Sequence, residues 1–305
     1  MKMNNKKNIN FMEDLSLIFN GVIRIKAVIF WSLIFLLGFS LGLQNLSINK
    51  LFYPFIVIIV NSLLFSIFIF TINNYYDIET DKDNPRRKKI NAIAQGEVNI
   101  AFVKILIIFC VITTLSISIF FKGYELFLLS LFCLISSWIY SAPPLRLKGK
   151  PVIDVFWHFL GFFLFVIYGS YIAGEIKEIS LLVAFSAGIF SCIFQICNHI
   201  LDYDYDKKSK TKTIAVLLGV KKTKKILNLS IIINFLILVI LIILFSINHY
   251  IPLIIILIGL IFSLYLSMSF KKKTVKKFSV VNFSFFISIF VYISCSVYNI
   301  LLLIN

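Results

Sequence analysis

Asn73-Asn74-Tyr75-Tyr76-Asp77-Ile78-Glu79-Thr80-Asp81 closes a long apolar run, and Asn198-His199-Ile200-Leu201-Asp202-Tyr203-Asp204-Tyr205-Asp206 closes another 125 residues later. Both stretches read Asn-x3-Asp-x3-Asp. A four-residue step turns an α-helix about 40° past a full turn, so each triplet lines one helical face with an amide oxygen and two carboxylates. Carboxylates so crowded repel each other unless positive charge lies between them. Hard oxygen ligands at this density suit Mg²⁺.

The surroundings of the triplets are those of a polytopic membrane protein. Of 305 residues 60% are apolar and only 14% are charged, and the mean hydropathy is +0.96. About twenty apolar residues cross a bilayer as a helix. On that measure nine spans are expected, near 22–43, 52–73, 99–121, 124–141, 152–174, 179–201, 226–247, 250–269 and 279–303. No short alternating segments suggest a β-barrel. The first run is of full span length without a small-residue cleavage site, so it is expected to be retained. Cys110, Cys133, Cys192, Cys197 and Cys295 all fall within spans, form no CxxC or Cys/His pattern, and read as reduced packing residues.

The net charge of +16 is distributed by topology. Basic residues gather before span one, after spans two and four, after span six (eight lysines from Lys207 to Lys225) and after span eight. The opposite loops hold only Lys50, Lys122 and Lys177. This is the positive-inside asymmetry, with the N-terminus cytoplasmic and the C-terminus outside. The charge is therefore read as a membrane signal, and nucleic acid is not an expected partner.

The 125-residue offset also relates Tyr140 to Tyr265 and Lys148 to Lys273. The expected fold is thus an all-α membrane protein of nine transmembrane helices: two four-helix repeats plus a final helix, around a cytoplasm-facing cavity. Residues 1–21 form a cytoplasmic N-terminal segment and 22–305 the membrane domain, with repeat one near 22–150, repeat two near 151–275 and the last helix at 279–303. An even number of spans per repeat gives the copies one orientation. The triplets are expected to continue as helix beyond the membrane, and Pro85 to break the first extension.

Each acidic triplet is trailed by bases: Arg86 and Arg87 after the first, Lys207, Lys208, Lys210 and Lys212 after the second. Acids that hold a metal beside cations that hold phosphate oxygens make a site for a Mg²⁺-bridged diphosphate. A third segment, Tyr140-Ser141-Ala142-Pro143-Pro144-Leu145-Arg146-Leu147-Lys148-Gly149, offers a phenol, a guanidinium and an ammonium at the same membrane face. On its own it reads as a proline-terminated helix with interfacial Tyr and bases; beside the triplets it becomes a second wall of the site. An EF-hand is excluded, because the sixth loop position is Lys207 and the twelfth Thr213. Asp154 is expected to pair with Arg146 or Lys148, and His158 to be a hydrogen-bonded packing residue. His199 falls on a different helical face from its flanking motif. A cation-coupled membrane transporter is the alternative, since parallel repeats and intramembrane acids also fit transport, although its ionisable groups belong near the midplane.

These motifs resemble those of the UbiA superfamily of intramembrane prenyltransferases. Asn73, Asp77 and Asp81 match its first Asp-rich motif; Asp202 and Asp206 match its second, with Asn198 one turn upstream. The resemblance implies transfer of an allylic prenyl group from a Mg²⁺-bound polyprenyl diphosphate to a lipophilic acceptor. It implies that Asn73, Asp77, Asp81, Asn198, Asp202 and Asp206 hold the metal, the four Asp being catalytic. Arg24, Arg86, Arg146, Lys148 and Lys207 would grip diphosphate oxygens, with Tyr140 on the substrate wall. The chain departs from the family at Asn74, where many members have Asp. It departs again at Ile90-Asn91-Ala92-Ile93-Ala94-Gln95-Gly96, where they have Arg-Pro-x-Pro-Ser-Gly. The run Asp83-Asn84-Pro85-Arg86-Arg87 looks more like members acting on isoprenoid or carotenoid acceptors than those using hydroxybenzoate.

Overall fold

A computed structural model describes residues 15–45, 47–245, 249–269 and 279–304; for Ile48, Pro85, Arg86, 265–269 and 279–280 only the backbone is described. The basic positions Lys2, Lys6, Lys7 and Lys271 to Lys277, including the repeat partner Lys273, lie outside the described residues, as does the side chain of Tyr265. Among the described residues every regular element is helical: α1 (Ile25–Gly42), α2 (Ile48–Tyr76), α3 (Ile78–Lys82), α4 (Pro85–Lys88), α5 (Ile100–Ser141), α6 (Pro151–Ala173), α7 (Glu178–Leu201), α8 (Tyr203–Lys208), α9 (Ile214–Phe245), α10 (Tyr250–Ser269) and α11 (Ser279–Ile304). A π-helical turn, Leu17–Val22, precedes α1. Among the described residues seven helices are long and apolar enough to cross a membrane: α1, α2, α5, α6, α7, α9 and α11. The protein is membrane-embedded.

The 42-residue α5 has about twice the length of one crossing. Its backbone leaves helical geometry at Lys122 (φ −130°, ψ 19°) and Gly123 (φ 71°, ψ −154°), the latter a conformation that glycine adopts without steric cost. Ser118 Oγ lies 2.7 Å from Ser130 Oγ. Twelve residues of straight helix would hold them roughly 18 Å apart. The chain therefore folds back at Gly123 into two arms, 100–121 and 124–141. Val103, Ile107, Cys110, Thr114 and Ser118 form the buried stripe of the first arm, while Ile105, Ile108, Phe109 and Ile112 are exposed. Large apolar side chains turned outward and small or polar ones turned inward are the pattern expected where hydrocarbon is the solvent.

The chain forms two compact units, one of residues up to Trp31 with Leu63–Pro144, the other of Ser32–Ser62 with Leu145–Asn305. In the second unit α1 and α6 meet almost backbone to backbone. A methyl group at Gly38 would strike the backbone of Val166, and one at Gly169 the carbonyl of Phe35. Phe35 stacks on Phe165 beside this seam, their centroids 4.3 Å apart. At its end Lys177 Nζ donates to Leu43 O at 2.6 Å and to Asn299 Oδ1 at 2.9 Å. Asn299 Nδ2 in turn donates to Ser40 O at 2.8 Å. Deeper in the same unit Ser186 donates to Asn234 Oδ1 at 3.0 Å, and Asn234 donates to Ser288 at 3.0 Å. Such buried amide and hydroxyl pairs join apolar helices that the hydrophobic effect alone does not hold together in lipid.

Two boundaries differ from the hydropathy reading. Helix α9 begins at Ile214, twelve residues before the expected 226, with a break at Gly219. Its first part carries Lys221, Lys222, Lys224 and Lys225, whose charge hides a helix from an apolar-run search. Pro85 does not end the first extension: α3 has already stopped at Lys82, and Pro85 opens α4, at a position where a missing N–H costs nothing.

Candidate active site

In each unit an apolar helix ends inside an acidic triplet, and the ending has the same form. Helix α2 stops at Tyr76, Asp77 sits at φ −99°, ψ 7°, and α3 resumes. Helix α7 stops at Leu201, Asp202 sits at φ −92°, ψ 4°, and α8 resumes. The i→i−4 bonds survive both breaks: Asp77 N to Asn73 O at 3.0 Å and Asp81 N to Asp77 O at 2.8 Å, then Asp202 N to Asn198 O and Asp206 N to Asp202 O, both at 2.9 Å. Each triplet is therefore helical in its hydrogen bonding but kinked at the middle acid, where one continuous helix had been expected.

In the first unit Asn73 and Asp77 are half-buried and Asp81 is buried. Burial and the neighbouring Asp77 push the Asp81 carboxyl above its ordinary range; a hydrogen bond from Asn91 and the charges of Arg24 and Arg87 oppose this. Asn91 Nδ2 reaches Asp81 Oδ2 at 2.9 Å. Arg24 directs Nη2 to Asn74 Oδ1. Burial and Arg87 pull the Arg24 guanidinium down to about 10, while Asp81 and Asp77 oppose the shift. It stays protonated at neutral pH. Arg24 Nε is shut off from solvent and has no hydrogen-bond partner. Tyr140 is half-buried near the end of α5. Arg86 lies in α4, its side chain outside the described residues.

In the second unit Asp202 is buried, Asn198 and Asp206 are half-buried, and Lys207 is exposed with Nζ 5.8 Å from the centre of the Tyr203 ring. Arg146 and Lys148 are half-buried at a short 3₁₀ turn, Leu147–Gly149. Among the described residues the non-glycine positions with left-handed backbone are Arg24 (φ 58°), Arg146 (φ 37°) and Lys210 (φ 56°). All three are basic, and such positions cost about 1–3 kcal/mol each, a strain that tends to gather where a side chain must be aimed.

Asp154 pairs with His199, Oδ2 to Nε2 at 2.6 Å, and also accepts from Gln195 Nε2 at 3.1 and 3.0 Å. That partner comes from the far end of α7, which spacing along the chain does not reveal. His158 is half-buried, Nδ1 lying 3.3 Å from Ser191 Oγ. Spacing also missed Asn74 and Asn91, both fully buried. The only signal for them was that both sit at departures from the family's pattern.

Among the described residues no three His, Cys, Asp or Glu side chains form a metal-holding group by themselves. Each triplet supplies two carboxylates and one amide oxygen. The donor chemistry still fits Mg²⁺ with diphosphate: hard oxygens, a carboxyl raised by burial and by an adjacent carboxylate, and a buried Arg24 Nε–H lacking an acceptor.

The sequence matches the UbiA prenyltransferase family over residues 29–290. No curated protein matches it significantly. Three solved structures share the fold. A UbiA homologue from Archaeoglobus fulgidus bound to GPP and Mg²⁺ is 22% identical, with 93% of this chain and 98% of that one covered at a TM-score of 0.66. An apo UbiA homologue from Aeropyrum pernix K1 is 16% identical, with 90% and 98% covered at 0.67. A digeranylgeranylglyceryl phosphate synthase is 21% identical, with 95% and 99% covered at 0.64. The solved structures speak for the helical fold, and the family match covers both acidic triplets and the segment between them. The chain belongs to the UbiA prenyltransferase family.

Proposed function

We propose that this protein transfers a prenyl group from a polyprenyl diphosphate to a lipophilic acceptor in a Mg²⁺-dependent reaction that releases diphosphate. The observation that carries this reading is the pair of kinked Asn-x3-Asp-x3-Asp motifs with one backbone conformation. Asp77, Asp81, Asp202 and Asp206, with Asn73 and Asn198, hold the metal. When bound, Mg²⁺ neutralises the diphosphate and makes it a better leaving group. Arg24, Arg86, Arg146, Lys148 and Lys207 bind its oxygens, and Tyr140 flanks them. The allylic C–O bond breaks with its electron pair on the departing diphosphate, the acceptor bonds to the allylic carbon, and the acceptor's proton is released. Aromatic side chains near the site stabilise the developing cation. Burial in the bilayer dissolves the tail and excludes water.

The reading includes a topology of nine crossings, with the two arms of α5 counted separately, α10 included, the N-terminus cytoplasmic and the C-terminus outside. Residues 22–150 and 151–275 are its two repeats, and 279–303 the added helix. The acceptor belongs to one of three classes: a quinone precursor, an ether-lipid precursor, or another isoprenoid or carotenoid. The structural relatives, one bound to GPP and Mg²⁺ and another named a digeranylgeranylglyceryl phosphate synthase, support prenyl diphosphate chemistry. Incubation of the purified protein with a labelled polyprenyl diphosphate, Mg²⁺ and an acceptor panel, with products identified by mass, tests the proposal. A prenylated product formed only with Mg²⁺, and lost in Asp77→Ala and Asp202→Ala, is the expected result. Ion-dependent vesicle uptake with no covalent product would instead support transport.

A further inference from the structure

Asn91 sits where three segments of the first unit meet, and every polar group of its side chain is used. Its Nδ2 donates to Asp81 Oδ2 at 2.9 Å and to Asn74 O at 3.0 Å, while its Oδ1 accepts from Ala94 N at 3.2 Å. The residue is wholly buried. The next residue, Ala92, donates its N–H to Gly21 O at 3.0 Å and packs so closely on Gly21 that a Cβ there would collide with it. Asn74 closes the ring: Nδ2 donates to Val22 O at 2.9 Å and Gly21 O at 3.3 Å, and Oδ1 accepts from Arg24. The turn before α1, the end of α2 and the 91–96 loop are thus tied by two amides.

The chemistry of these amides matters. A carboxylate this buried needs a hydrogen-bond partner to hold its orientation. One amide N–H satisfies one oxygen of Asp81 without adding a charge, while the other holds Asn74 O. An Asn also fixes the carboxylate plane, since its own orientation is set from behind by Ala94 N and Asn74 O. We propose that Asn91 is a positioning residue for metal binding: it anchors Asp81 Oδ2 to the 91–96 loop and so fixes the orientation in which the last acid of the first triplet meets the ligand. Outer hydrogen-bond partners of ligating groups commonly matter by about 10–100-fold in metal affinity. This inference rests on the metal–diphosphate reading of the triplets.

The test uses the full-length purified protein and inorganic diphosphate as the probe. Thermal unfolding is followed while Mg²⁺ is titrated, which reads binding without turnover. In Asn91→Ala the Mg²⁺ concentration giving half of the diphosphate-dependent stabilisation rises about tenfold or more. Asn91→Ser, which keeps one donor, falls between, and serves if the alanine variant does not fold. In an Asp81→Asn background the Asn91 change adds nothing further, because the bond it removes has no carboxylate to orient. A wild-type half-saturation in either folded Asn91 variant overturns the inference, as does an additive shift in the double variant. If Asp81→Asn alone leaves the titration unchanged, the metal reading of the triplet falls and this inference with it; a changed Asp81→Asn with an unchanged Asn91→Ala overturns the Asn91 role alone.

Discussion

Asp202 repeats the backbone of Asp77 to within a few degrees, φ −92° and ψ 4° against φ −99° and ψ 7°, although 125 residues separate them. In both, the helix bends at the acid while its N–H still reaches the asparagine four residues back. A bend there turns the third residue of the triplet without releasing it from the ladder.

That equivalence predicts equal sensitivity. Asp77→Asn and Asp202→Asn should each lower product formation by about a hundredfold or more, the scale of losing a preorganised electrostatic group. Helicity by circular dichroism should be unchanged. Steady-state turnover over a Mg²⁺ titration is the measurement, and a large loss in only one of the two would break the symmetry.

The buried pair of Asp154 and His199 predicts a stability effect. With side chains 1% and 5% exposed and 2.6 Å apart, neither group has solvent to fall back on. Removing one partner leaves a buried polar group short of a hydrogen bond, at a cost of about 1–3 kcal/mol, whereas replacing both with apolar groups costs less. Thermal unfolding in detergent should therefore rank wild type above Asp154→Leu/His199→Leu, and that double variant above His199→Leu alone.

Arg24 supplies a pH dependence. Its guanidinium, lowered to about 10, is charged below that pH and neutral above it. Because the folded value lies below the ordinary guanidinium value, the unfolded chain binds the extra proton between the two. This group's contribution to stability thus rises as pH climbs from about 10. Its contribution to anion binding moves the opposite way and is lost over the same limb. Diphosphate-dependent stabilisation measured from pH 8 to 11 should fall through about 10 in the wild type. Arg24→Gln should start lower and lack that component of the decline, leaving only what the lysines contribute.

Gly169→Val tests the seam of α1 and α6. The added side chain meets the backbone of Phe35, which no rotamer change can move aside. Overpacking of this kind costs about 1–3 kcal/mol or more. The melting temperature should drop, while Gly149→Val, with open space around its Cβ position, should have little effect.

The helices were legible because lipid imposes a composition that water does not. Among the described residues each long apolar run became helix, and the turn at Gly123 falls between two runs. The start of α9 was hidden because Lys221 to Lys225 lower the local hydropathy even though the backbone there is helical. The acidic triplets were legible from spacing alone, since i→i−4 geometry is local. The kinks at Asp77 and Asp202 were not, because a bend that preserves the hydrogen bond leaves no mark on residue spacing. Asn74, Asn91 and the His199 partner of Asp154 depend on segments brought together by the fold, which residue spacing does not report.

The glycine seam has a bearing on traffic within the bilayer. Backbones that approach at Gly38 and Gly169 leave no room for a methylene, so a flexible hydrocarbon chain cannot thread between α1 and α6. For the proposed prenyl donor, arriving by lateral diffusion, this seam is not an entrance. The seam acts as a closed stave.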